Sequence, residues 1–379
     1  MDHRTVDIYE HAARAYGERR RADAPERARS FAAAVSPGEV RLDLGSGPGH
    51  HLPHLGSPVV AVDAAPAMVA EARRRHPGAP GVAADLEALP LRPGSVAGVW
   101  ASKSLQHVAR PRLPMALAGL HRTLAVGGTL DLRVFRGDGD ERTGADDDFP
   151  GRRFTWWRPE ALADLLVGAG FTIDEISSGT AAGDRQTSTG PATDHTRVEH
   201  SPLVARATRA RTLPDTADGG MRLLVCGLNP SVYAADAGVG FARPGNRFWP
   251  AALAAGIVST DRSPDRALRD HGVGMTDIVK RATVAAAELS ADEYRTGLAR
   301  VERLLSWLRP GAVCFVGLAG WRAVVDRRAS PGVQPSGLAG TPVYVMPSTS
   351  GLNARTPLAE LTDHLRAAAR LADGAIAAR

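Results

Sequence analysis

Residues 40–49 read VRLDLGSGPG. A short apolar run leads into a turn with glycine at every second position, Gly45, Gly47 and Gly49. Glycine tolerates backbone dihedrals closed to other residues, so such a turn lets the main chain pass close to a neighbour. The flanking sequence repeats a strand–helix rhythm. VVAVDA (59–64), PGVAAD (80–85), VAGVWAS (96–102) and GTLDLRVF (128–135) read as short buried strands. Helical patterns cover 66–75 and 113–124 between them. Strands separated by helices predict an α/β fold, a parallel sheet with helices on both faces. A polar loop rich in Asp and Gly follows residue 135, then a helix near 158–169 and a strand, FTIDEIS (171–177). The segment 178–201, rich in Ser, Thr, Gly and Asp, is expected to be a long exposed loop. PLVARATR (202–209) reads as one more strand, pairing with 171–177 as an antiparallel edge.

A second alternation begins further on. MRLLVCG (221–227), VGMTDIV (273–279), GAVCFVG (311–317) and PVYVMP (342–347) read as strands, and 291–308, 319–327 and 356–372 as helices. The expected organisation is one domain over 1–209, a linker over 210–220 and a second α/β domain over 221–379. A chain of 379 residues suits two domains. The charged N-terminal segment lacks an apolar signal core and no long uncharged apolar run occurs, so the expected location is cytoplasmic, with no membrane partner. Cys226 and Cys314 sit in apolar runs and read as buried free thiols. Charge is uneven: from residue 209 onward 21 Lys+Arg face 15 Asp+Glu, whereas the first 208 residues hold 25 against 26. The second half is the better candidate for a polyanionic partner.

In the first half, acidic residues end successive strands. Asp63 lies about 20 residues beyond Asp43, a spacing at which a carboxylate accepts hydrogen bonds from ribose hydroxyls. Asp85 ends the third strand, placed for an exocyclic amine. DLGSGPG (43–49), Asp63, DLEALPL (85–91), SLQHV (104–108), LAVGGTL (124–130) and GFTIDEI (170–176) together resemble the class I S-adenosylmethionine-dependent methyltransferases over roughly residues 5–209. The resemblance implies a Rossmann-like sheet and S-adenosylmethionine as cofactor. Asp43, Gly45, Gly47 and Gly49 would border it, with Asp63 at the ribose and Asp85 at the adenine. His107 is a candidate general base or a packed helix-start residue. Trp156 and Trp157 are candidates for an aromatic lid or for core, and Tyr9 and Tyr16 lie on a helix that would cover the cofactor. The methyl acceptor stays unknown. His50, His51 and His54 lack a complementary cluster and read as local packing rather than a metal site.

In the second half, Gly227-Leu228-Asn229-Pro230-Ser231 closes the first strand, and Phe241 follows twelve residues after Asn229 in GFARPGNRFW (240–249). MPSTSGLNA (346–354) closes the last strand. These three segments resemble the mismatch-specific uracil/thymine-DNA glycosylase family of the uracil-DNA glycosylase superfamily, over roughly residues 205–375. The resemblance implies an α/β/α domain that hydrolyses the N-glycosidic bond of uracil, with thymine or other modified pyrimidines as further candidates, in G·U or G·T mispairs of double-stranded DNA. No cofactor and no metal are expected there. Rupture of that bond builds positive charge on the sugar and negative charge on the departing base. Asn229 is neutral, so it is expected to position water rather than deprotonate it, which predicts a slow enzyme. Neither lysine of the chain, Lys103 or Lys280, has motif support as a Schiff-base nucleophile, so a monofunctional enzyme leaving an abasic site is expected.

By the same resemblance Phe241 would stack on the extruded base, with Gly227, Leu228, Ser231 and Ala234 around it. Ser348 and Ser350 would bind phosphates, and Gly351, Leu352 and Asn353 would fill the vacated stack. Leu352 is the apolar wedge and Asn353 the partner of the orphaned base. Asn246 and Arg247 would support the loop or contact phosphate. The family commonly has Gly where this chain has Ser231, which puts the substrate range in doubt. The alternative is a small-molecule or nucleoside methyltransferase whose second domain is a binding or metabolite-processing module.

Overall fold

A computed structural model describes residues 1–145, 147–178 and 202–378. The loop expected at 178–201 falls, after Ser178, outside the described residues. The chain forms two compact units, Met1–Val167 with Phe171–Ala210, and Gly168–Gly170 with Arg211–Arg379.

In unit 1, α1 (His3–Arg19) and α2 (Pro25–Ala34) precede β1 (Arg41–Leu44), β2 (Val59–Asp63), α3 (Pro66–Arg75) and β3 (Gly81–Ala83). Then come β4 (Val96–Ser102), α4 (Leu113–Thr123) and β5 (Leu124–Arg136). The order β3-β2-β1-β4-β5 is parallel throughout. Strand β1 is buried along its whole length, as the apolar run predicts. Its one cation, Arg41, donates from Nη2 to the carbonyls of Ala32 (3.2 Å) and Val35 (2.6 Å) at the end of α2. There the helix dipole favours positive charge. Gly98 lets α2 lie flat on β4: a Cβ there would meet Val35 Cγ2 at 2.6 Å and Phe31 Cζ at 2.9 Å.

Strands β6 (Gly139–Arg142) and β7 (Arg153–Trp157) form an antiparallel hairpin within the stretch read as loop. Strand β7 extends the sheet at the end of β5, pairing Trp156 with Phe135. After α5 (Pro159–Gly168), β8 (Phe171–Ser178) and β9 (Pro202–Arg209) pair antiparallel. The outer strand is β8, since β9 also runs antiparallel along β5 from Thr129 to Phe135.

Unit 2 contains β10 (Leu223–Gly227), α6 (Val232–Ala237), α7 (Phe248–Ala255), α8 (Pro264–His271), β11 (Val273–Asp277) and α9 (Ala291–Leu308). They are followed by β12 (Ala312–Val316), α10 (Leu318–Val324), β13 (Gly332–Val333), β14 (Val343–Met346) and α11 (Leu358–Ala377). The sheet order is β11-β10-β12-β14-β13, parallel except for β13. Side chains alternate across a strand, so each face has its own core. Leu223, Val225, Cys314 and Met346 pack with residues of α7, α8 and α11. Leu224, Cys226, Val313, Phe315 and Val345 pack with α9 and α10. Both faces are covered, which is why these strands read as continuous apolar runs. Burial pushes the Cys314 thiol up to about 12 and Cys226 well above its ordinary value.

Residues 211–217, read as linker, are part of unit 2. Thr216 exchanges two backbone hydrogen bonds with Met275 on β11. Asp215 is buried in an ion cluster, 2.8 Å from Lys280 Nζ and 2.6 Å from Arg300 Nη1. The polar composition that suggested a linker is instead a satisfied charge network. Among the described residues no helix is long and apolar enough to cross a membrane.

Candidate active sites

In unit 1 the strands on either side of β1 are β2 and β4, so the chain winds in opposite directions from β1. Ligands of such sheets bind at that crevice, beyond the carboxyl ends of the strands. Gly45, Gly47 and Gly49 all have positive φ (68°, 52° and 81°), which the turn requires. A Cβ on Gly45 would lie 2.2 Å from Ser104 Cβ. The turn is tied to β2: Gly45 and Ser46 N–H donate to Val62 O, and Gly47 N–H donates to Asp63 Oδ2 at 2.8 Å. Asp63 Oδ1 accepts from Ala65 N–H at 2.9 Å. Burial holds the Asp63 carboxyl up at about 6.

Gly45, Gly47 and Asp63 line a cavity of about 320 Å³ together with Tyr9, Tyr16 and Leu86. Ser104 Oγ, His50 Nε2 and Gln106 Oε1 of its lining are buried without a hydrogen-bond partner, as expected of groups that meet a ligand. Three expected cofactor residues stand elsewhere. Asp43 lies beneath the turn, where burial raises its carboxyl to about 7. Gly49 serves packing, because a Cβ there would meet Leu52 Cδ1 at 2.8 Å. Asp85 accepts from the Met1 ammonium (2.7 Å) and Glu87 N–H (2.9 Å), and the next residue, Leu86, is the one at the cavity.

The other half of the cavity lies beyond β4 and β5. His107 Nδ1 is 2.7 Å from Arg153 O, a pure acceptor, so Nδ1 carries the proton. Nε2 then accepts from Tyr9 OH at 3.0 Å, and Tyr9 OH accepts from Arg152 Nη1 at 2.8 Å. Burial lowers His107 to about 4. Its lone pair is engaged, so it positions Tyr9 and is not a free base. Trp156 lines the cavity, whereas Trp157 is core, with Arg110 over its ring at 4.5 Å. His51 lines the cavity beside Asp23 at 3.1 Å, and no group of residues suited to hold a metal occurs among the described residues.

In unit 2 the loop after β10 carries Asn229. Its Nδ2 lies 2.9 Å from Arg281 O and 2.8 Å from Thr283 Oγ1. The segment around it is zipped to Thr283 by Val232 N–H to Thr283 O and Thr283 N–H to Pro230 O. The amide is thereby fixed by its nitrogen, which leaves Oδ1 as its acceptor. Gly227, two residues earlier, opens room for two neighbours. A Cβ there would lie 2.3 Å from Asp277 Oδ1 and 3.5 Å from Phe241 Cζ. Phe241 has φ +59°, a left-handed conformation that costs a bulky residue on the order of 1–3 kcal/mol. Its ring stacks on Phe248, centroids 4.3 Å apart. Asp277 ends β11, and burial lifts its carboxyl to about 6. The sequence reading missed it. The strand read over 273–279 runs through Asp277, and only the pairing of β11 with β10 sets it beside Gly227.

Other expected residues take structural roles. Leu228 packs beneath the site, against Gly320 and Gly317. Ser231 caps α6, accepting from Ala234 N–H at 3.1 Å, so its hydroxyl serves the helix; Ala234 is buried. Asn353 spends Nδ2 within its loop, on Ser348 O (2.8 Å) and Thr356 Oγ1 (3.0 Å), instead of presenting it to a base. Ser348 and Ser350 hydroxyls accept from Ser350 and Leu352 N–H. Arg247 donates to Ser350, Asn353 and Thr356 carbonyls, so it supports the loop, and Asn246 accepts from Phe248 N–H. Gly351 abuts Gly245. Leu352 is 88% exposed at the tip.

Residues 42–131 match the family described as a methyltransferase domain, and residues 214–371 match the uracil DNA glycosylase superfamily. Among solved structures the chain is similar to the 1,6-didemethyltoxoflavin-N1-methyltransferase of Burkholderia thailandensis, solved with 1,6-didemethyltoxoflavin and S-adenosylhomocysteine. Identity is 21% over 54% of this chain and 85% of that one, with a TM-score of 0.39. It is also similar to a SAM-dependent methyltransferase of Methanosarcina mazei (17% identity, 47% and 95% covered, TM-score 0.39). A third likeness is to the glycopeptide N-methyltransferase MtfA complexed with S-adenosylhomocysteine (18%, 50% and 90%, TM-score 0.39). The chain thus joins a methyltransferase domain to a domain of the uracil DNA glycosylase superfamily.

Proposed function

We propose that unit 2 removes uracil from G·U mispairs in duplex DNA by hydrolysis of the N-glycosidic bond, and that unit 1 transfers a methyl group from S-adenosylmethionine. The fixation of Asn229 carries the first reading. Its nitrogen is held by Arg281 O and Thr283 Oγ1, so its carbonyl oxygen is the atom offered to a water. Asp277 supplies the negative charge that Asn229 lacks. As the C1′–N bond breaks, its electron pair leaves with the base and positive charge grows on the sugar. Water adds to C1′ and its proton passes to the Asp277 carboxylate. Phe241 stacks on the extruded base over Gly227. The uracil anion then gains a proton from solvent while Asp277 gives its proton back to solvent, and the products are free uracil and an abasic site. Lys280 takes no part as a nucleophile, since its ammonium is paired with Asp215.

In unit 1, Asp63 and the Gly45–Gly47 turn would hold the cofactor, whose sulfonium carries the transferable methyl. The unpaired Ser104 Oγ and His50 Nε2 are the observations that favour a bound polar ligand there. Single-turnover excision from a duplex with one G·U pair tests the glycosylase reading. Asn229→Ala is expected to bind duplex normally and to excise slower by about 10²-fold or more. Excision by that variant at the wild-type rate would overturn the mechanism.

A further inference from the structure

The acceptor half of the unit 1 cavity has a definite chemistry. Phe154 and Trp156 stand two residues apart on β7, so they share one face of the hairpin. Phe135 is the cross-strand partner of Trp156, with centroids 6.4 Å apart and planes inclined by 27°. Phe154 lies 5.4 Å from Phe135, and His107 4.8 Å from Phe154. All four rings line the cavity. The cation on this side is already matched, since Arg152 pairs with Asp147 at 2.6 Å. On this side Gln106, 2% exposed and also at the cavity, has its Oε1 buried with no hydrogen-bond partner. A buried acceptor without a donor is costly, so a ligand N–H or O–H is the group it suits. These rings and Gln106 share one cavity with the glycine turn, so an acceptor on them sits beside the cofactor. The first 208 residues carry 25 basic against 26 acidic side chains, so this half has no net attraction for a nucleic-acid backbone.

Resting on the methyltransferase reading above, we infer that the methyl acceptor is a small, flat aromatic or heteroaromatic molecule bearing an N–H or O–H. Its ring lies against Phe135, Phe154 and Trp156, and Gln106 Oε1 accepts from the group to be methylated. That hydrogen bond turns the lone pair of the N or O toward the methyl carbon. The lone pair forms the new C–N or C–O bond, the pair of the broken C–S bond stays on sulfur, and the acceptor proton passes to water.

Calorimetry on the full-length protein tests this. S-Adenosylhomocysteine is titrated first. The loaded protein then receives 7-hydroxycoumarin, 4-hydroxyquinoline, 7-methoxycoumarin, decahydro-2-naphthol or a short duplex DNA, and methyl transfer from S-adenosylmethionine is followed in parallel. A flat donor compound should bind and be methylated. The methoxy and saturated compounds should bind at least about tenfold more weakly. Trp156→Leu and Gln106→Leu should each weaken the flat donor by about tenfold while S-adenosylhomocysteine affinity is unchanged. The inference is overturned if S-adenosylhomocysteine binds but neither flat donor does. It is equally overturned if the saturated compound or the duplex binds as well as they do, or if both variants bind like wild type. Failure of S-adenosylhomocysteine to bind the wild type would instead overturn the cofactor reading, and this inference with it.

Discussion

Gly227 has no side chain, and Asp277 and Phe241 use the room. An aromatic face and a carboxyl therefore converge on the strand end that leads into Asn229. Burial raises the Asp277 carboxyl to about 6, so it is mostly neutral below that pH and ionised above it. If the carboxylate takes the proton of water, excision falls as pH drops below about 6 and levels off above it. Asp277→Asn should remove this inflection and slow excision by about 10²–10⁴-fold, measured as single-turnover rates between pH 5 and 8. An unchanged pH profile in the variant would assign the inflection to another group. The turn of unit 1 offers a second test. Gly45→Ala places a methyl against Ser104 at a φ of +68°, with loss of S-adenosylmethionine affinity by about tenfold or more in calorimetry. Asn229, Gly45 and Gly47 follow strand ends that the apolar runs mark, and Phe241 is named by the family resemblance. Asp277 has neither signal. Its importance comes from β11 lying beside β10, a neighbour relation that only the folded sheet creates.

At the scale of elements, legibility followed periodicity. The three inner strands of unit 2, β10, β12 and β14, are buried on both faces and stood out as apolar runs. Strand β6 is mostly exposed and carries Asp140, Glu141 and Arg142, so nothing in its composition distinguished it from loop. It is held by its pairing with β7, whose Phe154 and Trp156 face the cavity. The loop after β14 shows the opposite balance. Its motif was legible, and loop support by Arg247 was one of the expected roles, but the use of Asn353 was not: both residues hold the loop, which leaves Leu352 as the protruding residue. A wedge matters only where a stack must be filled. Leu352→Ala is therefore expected to slow excision from a G·U duplex by about tenfold and leave single-stranded uracil DNA unaffected. Comparison of the two substrates in one assay checks this, and equal losses on both would mean that the loop shapes the pocket instead.

At the scale of the whole molecule, the segment that joins the two alternations had the composition of a spacer, yet its carboxylate closes a buried charge network. Asp215 accepts from Lys280, Arg300 and Thr276, and Arg300 in turn donates to the carbonyl of Asp277. The network fixes the end of β11 and so the height of Asp277 above the sheet. A fragment of residues 221–379, cut where the apolar pattern resumes, would leave Lys280 and Arg300 buried without their main counter-charge. Breaking a buried pair this way costs about 3–5 kcal/mol. A fragment of residues 211–379 keeps Asp215 and the Thr216–Met275 hydrogen bonds. Urea unfolding of the two fragments should separate their stabilities by about that amount, with Asp215→Ala in the longer fragment reproducing most of the loss. Equal midpoints would mean that the charge cluster contributes nothing net, as when solvent relaxes around the exposed cations. A difference confined to the truncation, and absent from Asp215→Ala, would place the contribution in the extra backbone pairing along β11.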